Sequence, residues 1–150
     1  MSLPTEVMPD HHKHCDGLFV AAEEAVQSGN WAAANPAFER FEGQMHAHFR
    51  AEEDLLFPAF ESATGMSQGP TQMMRLEHEQ MRSLLAEMRE ACRLRDAEAY
   101  GGTAETLLML MQQHNMKEEN ILYPMCDRSL GAEAHRIGAH ISALLEVAHG

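Results

Sequence analysis

The stretch His48–Pro58, HFRAEEDLLFP, decides the fold of this chain, and it recurs sixty-six residues later as HNMKEENILYP, His114–Pro124. Both copies contain a histidine, three further residues, two glutamates, a polar residue, two aliphatic residues, an aromatic residue and a proline. Chance seldom repeats a pattern of this length. The repeat therefore indicates an internal duplication.

Each copy places an imidazole and a carboxylate on one helix face, because residues i and i+4 of an α-helix lie one above the other. His48 pairs with Glu52 in the first copy, and His114 pairs with Glu118 in the second. A single pair of this kind is usually a surface contact. Two pairs within the same pattern instead predict two halves of one metal site, facing each other in a bundle.

The composition favours one all-α domain over residues 1–150. The chain has 150 residues, 45% of them hydrophobic, which is enough to bury a core. Ala, Glu, Leu, Met, Gln and Arg dominate, and all are good helix formers. Sustained alternation of apolar and polar residues, the pattern of a half-buried strand, is missing.

Charge and cysteine usage exclude several classes of function. The net charge of −12 would repel nucleic acid. No apolar run reaches the roughly 18 residues needed to cross a bilayer, and the N-terminus lacks an apolar signal core. We therefore expect a cytoplasmic protein without a membrane partner. The three cysteines are widely spaced and predict neither a disulfide framework nor a thiolate zinc site.

Apolar periodicity predicts the helices, and it places Ile121 in the apolar stripe of the fourth. The first four form an antiparallel up-down four-helix bundle over about residues 10–128, with approximate two-fold symmetry. A short fifth helix should cover one end or side of it. Pro58 is expected to kink or end the second helix. The predicted helices are 10–27, one that begins at Pro36, 70–95, 103–123 and 131–147, with a loop at 62–69. Residues 28–30, which end with Asn30, are interpreted as the end of the first helix, and Asp96 as part of the connection after the third.

The same offset of sixty-six residues relates the first and third helices, because it carries His78 onto His12. Apolar residues follow both histidines by the same 3, 7, 10 and 14 positions: Met81, Leu85, Met88 and Cys92 after one, Cys15, Phe19, Ala22 and Val26 after the other. The predicted inward polar set is therefore His12, His48, His78, His114, Glu52 and Glu118.

The ligand from the first helix stays open between His12 and His14. The repeat and the apolar phase favour His12. The two side chains lie about 200° apart on an ideal helix, so both cannot point inward. A distorted start of the first helix would favour His14 instead.

Six inward polar groups point to metal, because buried His and Glu side chains cost several kcal/mol each unless they are paired or metal-bound. Imidazole and carboxylate without thiolate suit iron or manganese, and zinc less well. Two metal ions that share two bridging carboxylates, each capped by two histidines, fit the ligand count. Open coordination positions would then accept dioxygen, nitric oxide, peroxide or water.

The two motifs, HFRAEEDLLFP and HNMKEENILYP, make residues 10 to 128 resemble the hemerythrin-like (His-His-Glu cation-binding) proteins. The resemblance implies a non-haem di-iron centre in a four-helix bundle. It implies that Glu52 and Glu118 bridge the irons and that the terminal ligands are His12, His48, His78 and His114.

The chain departs from the oxygen-carrying members of that family. They have a histidine four residues after the third-helix histidine, where this chain has Arg82. Their last carboxylate is an Asp five residues after its histidine, whereas Glu118 follows its histidine by four. These departures argue against simple reversible oxygen carriage. The remaining set is similar to di-iron proteins of iron–sulfur repair and nitric oxide handling, and to domains that sense iron and oxygen.

Four residues beside the predicted ligands have two interpretations each. Glu53 and Glu119 either accept hydrogen bonds from ligand histidines or are solvated. Tyr123 is favoured as a packing aromatic over a hydrogen-bond donor to bound oxygen species. Arg82 either pairs with Glu118 or another inward acid, or points to water.

The leading interpretation is a cytoplasmic di-iron module that binds or senses dioxygen, nitric oxide or peroxide, with any protein partner left open. An enzyme acting at the same metals, as a peroxidase, nitric oxide reductase or ferroxidase, is the second. An iron store or donor for cluster repair is the third. A metal-free interaction module is the fourth, and it would leave the six inward polar groups unexplained.

Overall fold

The computed structural model describes residues 3–149, the last two of these by their backbone alone, and helices are the regular secondary structure throughout that range. The all-α prediction is confirmed. Two π-helical turns, Glu52–Leu56 and Glu118–Leu122, each join two α-helices into one long helical rod. The helices are α1 (Pro4–Gln27), α2 (Trp31–Ala51), α3 (Phe57–Thr64), α4 (Pro70–Arg93), α5 (Ala97–Lys117), α6 (Tyr123–Leu130) and α7 (Glu133–His149).

Helix α1 begins at Pro4, so the predicted start at Asp10 is wrong. Pro4 suits a first helical turn because its missing N–H would have had no intrahelical partner there. The Glu6 carboxylate accepts a hydrogen bond from the Leu3 N–H at 3.3 Å, which helps to cap the helix. The extra length adds Met8, which is fully buried, to the core.

Helices α2 and α5 also begin earlier than predicted, at Trp31 and Ala97. Asn30 precedes α2, and its side chain accepts a hydrogen bond from the Ala33 N–H at 3.2 Å. Asp96 precedes α5 and accepts from the Ala99 N–H at 3.0 Å in the same way. Both residues were interpreted as parts of connections, but Asn and Asp are also good N-caps, and a cap begins a helix.

The rod containing α2 continues beyond Pro58 to Thr64, where the sequence predicted a kink or an end. Ahead of the proline, the Phe57 N–H donates to the carbonyl of Glu52, five residues back. Such a wide turn separates the proline ring from the carbonyls that it would meet in a regular α-helix. The π-turn thus allows one rod to hold both the His48–Glu52 pair and the proline that follows.

The second π-turn repeats this arrangement, with the Tyr123 N–H donating to the carbonyl of Glu118. One added residue in the turn rotates everything after it by about 100° relative to a regular helix. Ile121, which the 3.6-residue period placed in the apolar stripe, is 56% exposed. Leu122 and Tyr123 are buried instead.

Two apolar clusters lie on either side of the polar residues along the helices of the bundle. The first includes Phe19, Phe41 and Leu85, and the second includes Met8, Phe60 and Leu122. On α1 the second cluster includes Met8 and the first includes Cys15, with His12 between them. On α4 the same order runs from Met74 through His78 to Met81. Helix α7 packs against α1 and α2 and contributes its apolar side chains to the second cluster. No helix in the described range is long and apolar enough to cross a membrane.

Shortening a side chain in the first cluster should destabilise the fold without emptying the polar centre. Leu85 is fully buried there. We expect Leu85→Ala to lower the free energy of unfolding of the metal-free protein by about 2–5 kcal/mol, measured by urea denaturation. Metal content should remain that of the wild type. A loss below about 1 kcal/mol would show that this cluster is not tightly packed.

Candidate metal centre

The six predicted inward residues meet in one buried cluster. His12 comes from α1, His48 from α2, His78 from α4 and His114 from α5, while Glu52 and Glu118 open the two π-turns. Each is at most 5% exposed. The repeated motif therefore places each of its carboxylates at the start of a π-turn.

One half of the cluster contains His78 and His114. The His78 Nε2 atom lies 2.9 Å from Glu52 Oε1, and the His114 Nε2 atom lies 3.2 Å from Glu118 Oε2. One ligand atom from each of these four residues can be chosen so that all lie within 4.8 Å of one another. This spacing is compact enough for a single metal ion.

The other half contains His12 and His48. Their Nε2 atoms lie 3.1 Å and 4.0 Å from Glu118 Oε1, and these three residues form a second group within 4.8 Å. Glu118 thus belongs to both groups. Glu52 Oε1 also lies 3.6 Å from His48 Nε2, besides its contact with His78. Both carboxylates reach both halves, as bridging ligands would.

Several atoms at the centre are buried and lack a hydrogen bond among the residues that the structure describes. Their mutual distances are short, but their alignment is unsuited to hydrogen bonding. An unsatisfied buried polar atom costs about 1–3 kcal/mol, and metal coordination would satisfy all of them at once. The residues present therefore fit metal ions. The atoms are Nε2 of His48, His78 and His114, Oε1 of Glu52 and Oε2 of Glu118.

The glutamates that follow the two central carboxylates orient histidines on other helices. Glu53 Oε2 lies 2.6 Å from His78 Nδ1, and Glu119 Oε2 lies 2.6 Å from His12 Nδ1. Of the two interpretations of Glu53 and Glu119, the structure supports the hydrogen-bonding one. With Nδ1 bonded outward, each ring presents Nε2 to the centre.

Glu77 performs the same task for His114, and sequence reasoning missed it. Its Oε1 atom lies 2.7 Å from His114 Nδ1, and its other oxygen accepts a hydrogen bond from Lys117. Glu77 directly precedes His78 in the chain but serves a histidine on another helix. Helical spacing relates residues within one helix, so it gave no signal for this contact.

His48 has a different outward partner, which the sequence also failed to reveal. Its Nδ1 atom lies 2.8 Å from Nδ1 of His11, a residue only 7% exposed. His11 Nε2 in turn lies 2.8 Å from Gln44 Oε1. A signal existed, since Gln44 precedes His48 by four residues and shares its helix face.

His14, the alternative first-helix ligand, lies outside both ligand groups, whereas His12 lies inside one. The His14 ring faces that of His11, with 5.8 Å between the centroids. It also lines a groove beside α7, together with Ser142 and Glu146. Helix α1 starts well before these histidines, so it is regular there and keeps His12 in the inward phase.

Tyr123 is part of the centre, so its interpretation as a packing aromatic alone is wrong. Its hydroxyl lies 2.7 Å from Glu52 Oε2, 2.8 Å from Glu118 Oε1 and 3.3 Å from His12 Nε2. The phenol therefore joins the two central carboxylates. Arg82 binds both oxygens of Glu53, at 3.0 and 2.8 Å, so it pairs with an acid other than Glu118.

A small cavity adjoins the centre on the side of the first cluster. Measured as the space open to the centre of a water-sized sphere, it has a volume of about 10 Å³. Asn115 lies on its boundary and also on that of a larger groove of about 570 Å³ on the α1 and α5 side. The cavity walls are His12, His48, His114 and Asn115, with the apolar Cys15, Met45, Phe49, Met81 and Met111.

The model of the Hemerythrin HHE cation binding domain family matches residues 3–126 of this chain. The chain belongs to that family. The resemblance predicted from the repeated motif is thus confirmed. Neither the comparison with curated proteins nor the comparison with solved structures gives a match. Family membership and the buried His/Glu cluster together indicate that the protein binds metal.

In this hemerythrin-family domain the metal-free centre retains protons near neutral pH. Burial and the charge of Glu118 raise the pKa of Glu52 to about 7. Burial opposes the charged form of His114, but the Glu118 carboxylate outweighs it and raises the pKa of His114 to about 9. The pKa of Glu118 is raised by burial, yet the charge of His114 holds it well below its usual range. A metal ion would have to displace the retained protons.

The metal-free protein should lose stability as the pH rises through this range. The folded pKa values of about 9 for His114 and 7 for Glu52 exceed the ordinary 6.5 and 4.5, so the folded chain binds protons more tightly than the unfolded chain. Their stabilising contribution is fully present below the ordinary values and is lost as the pH passes the raised ones. We therefore expect the melting temperature to fall between about pH 7 and pH 9.

This prediction is measured by circular dichroism in the presence of a chelator. The variant His114→Ala should show a shallower fall, because it removes the group with the highest of these pKa values. A melting temperature that rises between pH 7 and pH 9 would contradict the proposed protonation of the centre.

Proposed function

We propose that this protein holds two iron ions in an up-down antiparallel four-helix bundle. The observation that carries the proposal is the presence of Glu118 in both ligand groups, since one carboxylate shared by two sites is what a two-metal centre needs. In it, His78 and His114 hold one ion and His12 and His48 the other. Glu52 and Glu118 bridge the two.

The donor set supports iron over manganese and zinc. Four imidazoles and two carboxylates form a nitrogen-rich set of intermediate hardness without thiolate. The nearby Cys15 is buried, and burial raises the pKa of its thiol to about 12, so it stays neutral and is a poor ligand. Two carboxylates shared by two ions also leave coordination positions open, which structural zinc sites do not.

The size of the small cavity beside the centre supports a small ligand. A volume of about 10 Å³, measured for the centre of a water-sized sphere, is about the minimum that holds one water molecule, so only a very small molecule would fit. The cavity lining of mixed apolar and polar side chains suits dioxygen, nitric oxide or peroxide better than larger compounds. Iron bound at the centre would supply the coordination position and the electrons that these molecules require.

The chain's own residues prepare the centre for such a ligand. Hydrogen bonds at Nδ1 fix the orientation and tautomer of all four histidines. Burial raises the pKa of Tyr123 well above its usual range, so its hydroxyl keeps a proton directed at the central carboxylates. The protein therefore binds or senses its ligand in a protected site, in the cytoplasm by the sequence prediction.

The groove on the α1 and α5 side favours a second candidate, a di-iron enzyme such as a peroxidase or nitric oxide reductase. Its volume of about 570 Å³ lies within the range of small-molecule sites. His12 and Glu119 both line it, so a substrate or reductant bound there would lie close to the metal ligands. Steady-state turnover of peroxide or nitric oxide at useful rates would favour the enzyme over the sensor.

Metal analysis with an optical spectrum tests the proposal directly. After anaerobic reconstitution with iron(II) and exposure to air, we expect about two irons per chain and near-ultraviolet bands typical of an oxo-bridged pair. These bands should change when reductant, nitric oxide or peroxide is added. A single zinc ion, or no metal after reconstitution, would overturn the di-iron assignment.

Removing one bridging carboxylate should separate metal binding from folding. We expect Glu52→Ala to lose most of the bound iron and to lower the melting temperature of the iron-loaded protein. The metal-free variant should also lose some stability, because the truncation removes the partner of His78 and the hydrogen-bond acceptor of Tyr123 and leaves a cavity. Leu85→Ala is the control, with normal metal content and reduced stability. Two irons per chain in purified Glu52→Ala would refute the bridging role.

The two candidate histidines of α1 form a matched pair of variants. We expect His12→Ala to lower the iron content strongly, because His12 Nε2 lies in the cluster, and His14→Ala to leave it near the wild-type value. Iron per chain, measured after identical reconstitution, decides between them. The reverse order would show that the ligand from the first helix is His14.

A further inference from the structure

The offset of sixty-six residues also relates the outward partners of the four central histidines, and it exposes one exception. Glu53 and Glu119 are equivalent, and each bonds Nδ1 of a histidine. Glu77 bonds His114 Nδ1, and the position equivalent to Glu77 is His11. Three of the histidines thus bond a carboxylate at Nδ1, whereas His48 bonds an imidazole.

The hydrogen-bond directions around His11 follow from Gln44. Its Oε1 atom can only accept, so His11 Nε2 carries a proton and donates it across 2.8 Å. In the neutral ring, His11 Nδ1 is then an acceptor and receives the N–H of His48 Nδ1, also at 2.8 Å. His48 is left with a bare Nε2 toward the centre. The hydrogen bonds from His48 through His11 to Gln44 thus give His48 a neutral imidazole as its Nδ1 acceptor. The other three histidines have a carboxylate in that place.

A second difference between the halves also makes the His12 and His48 half the weaker one. Arg82 and Lys117 hold Glu53 and Glu77, whose side chains are only 19% and 12% exposed. Glu119, on the other half, is 40% exposed. The position equivalent to Arg82 is Asp16, an acid rather than a cation. The outer shell of the His12 and His48 half is thus less firmly held.

We propose that His11 is a positioning residue that makes the two metal positions unequal, so that the ion held by His12 and His48 is the more readily released. A carboxylate that accepts the Nδ1–H hydrogen bond draws that proton toward itself and makes Nε2 a stronger ligand for the metal. A neutral imidazole has the same effect to a lesser degree. This inference rests on the proposed two-metal centre. It divides that centre into a firmly held ion and an exchangeable one.

The experiment measures release of iron(II) under anaerobic conditions. Protein loaded with two irons per chain is mixed with excess of a coloured iron(II) chelator, and colour is followed with time. We expect two phases of one iron each, whose rates differ by about 10–100-fold, the usual effect of an outer-shell partner. Two irons released at a single rate would overturn the inference and leave the di-iron proposal standing. Failure to load a second iron would instead refute the di-iron proposal.

Two isosteric variants isolate the charge at position 11. His11→Gln retains a neutral acceptor and should keep the fast phase, whereas His11→Glu supplies the missing carboxylate and should slow it toward the other phase. Glu77→Gln makes the reciprocal change and should speed up the slow phase. An unchanged fast phase in His11→Glu would contradict the inference. Should that variant fail to fold, an unchanged slow phase in Glu77→Gln would do so.

Proton NMR of the cobalt(II)-loaded protein gives a readout that a merely structural role of His11 would leave unchanged. The exchangeable Nδ1–H protons of the ligand histidines are displaced by the paramagnetic ion. We expect one of the four signals to differ from the rest in the wild type and to move toward them in His11→Glu. Four similar signals, unmoved by the substitution, would overturn the assignment.

Discussion

The buried pair of carboxylates, Glu52 and Glu118, is the constraint on which the rest of the structure depends. Two acids fully removed from water repel each other, and the raised pKa of Glu52 shows that without metal only one ionises freely. Everything around them compensates: four imidazoles lie alongside, and a tyrosine hydroxyl joins the two acids. Apolar clusters on both sides keep water out. A bundle with this centre is therefore better suited to hold a cation than to remain metal-free.

The backbone serves the same constraint. A regular helix that carried His48 and Glu52 on its inner face would be interrupted at Pro58, close to the second apolar cluster. The π-turn that begins at Glu52 lets the rod continue and turns the following aromatic residue inward. In the second rod that aromatic is Tyr123, which reaches the carboxylates. In the first it is Phe57, whose ring stacks on His78 with 5.7 Å between the centroids. The same local device thus places a polar group in one half and an apolar one in the other.

What the sequence predicted correctly was what repeats and helical periodicity encode. Six polar residues were expected to converge, and they do, because i,i+4 spacing and the sixty-six-residue offset are properties of single helices and of the duplication. Helix starts were missed where a cap was interpreted as a terminator, as at Asn30. Ile121 was misplaced because the period assumes a regular helix. Contacts between helices, such as that of Glu77 with His114, left no trace in either pattern.

The duplication also explains where the two halves of the centre differ. The central atoms face each other across one small volume, so a change in any ligand would affect both halves. The outward partners are each bound to one histidine, so His11 can replace a carboxylate beside His48 without disturbing the three other rings. Gln44 completes this substitution by fixing which nitrogen of His11 accepts. A change in an outward partner can therefore alter one metal position alone, whereas a change in a ligand would alter both.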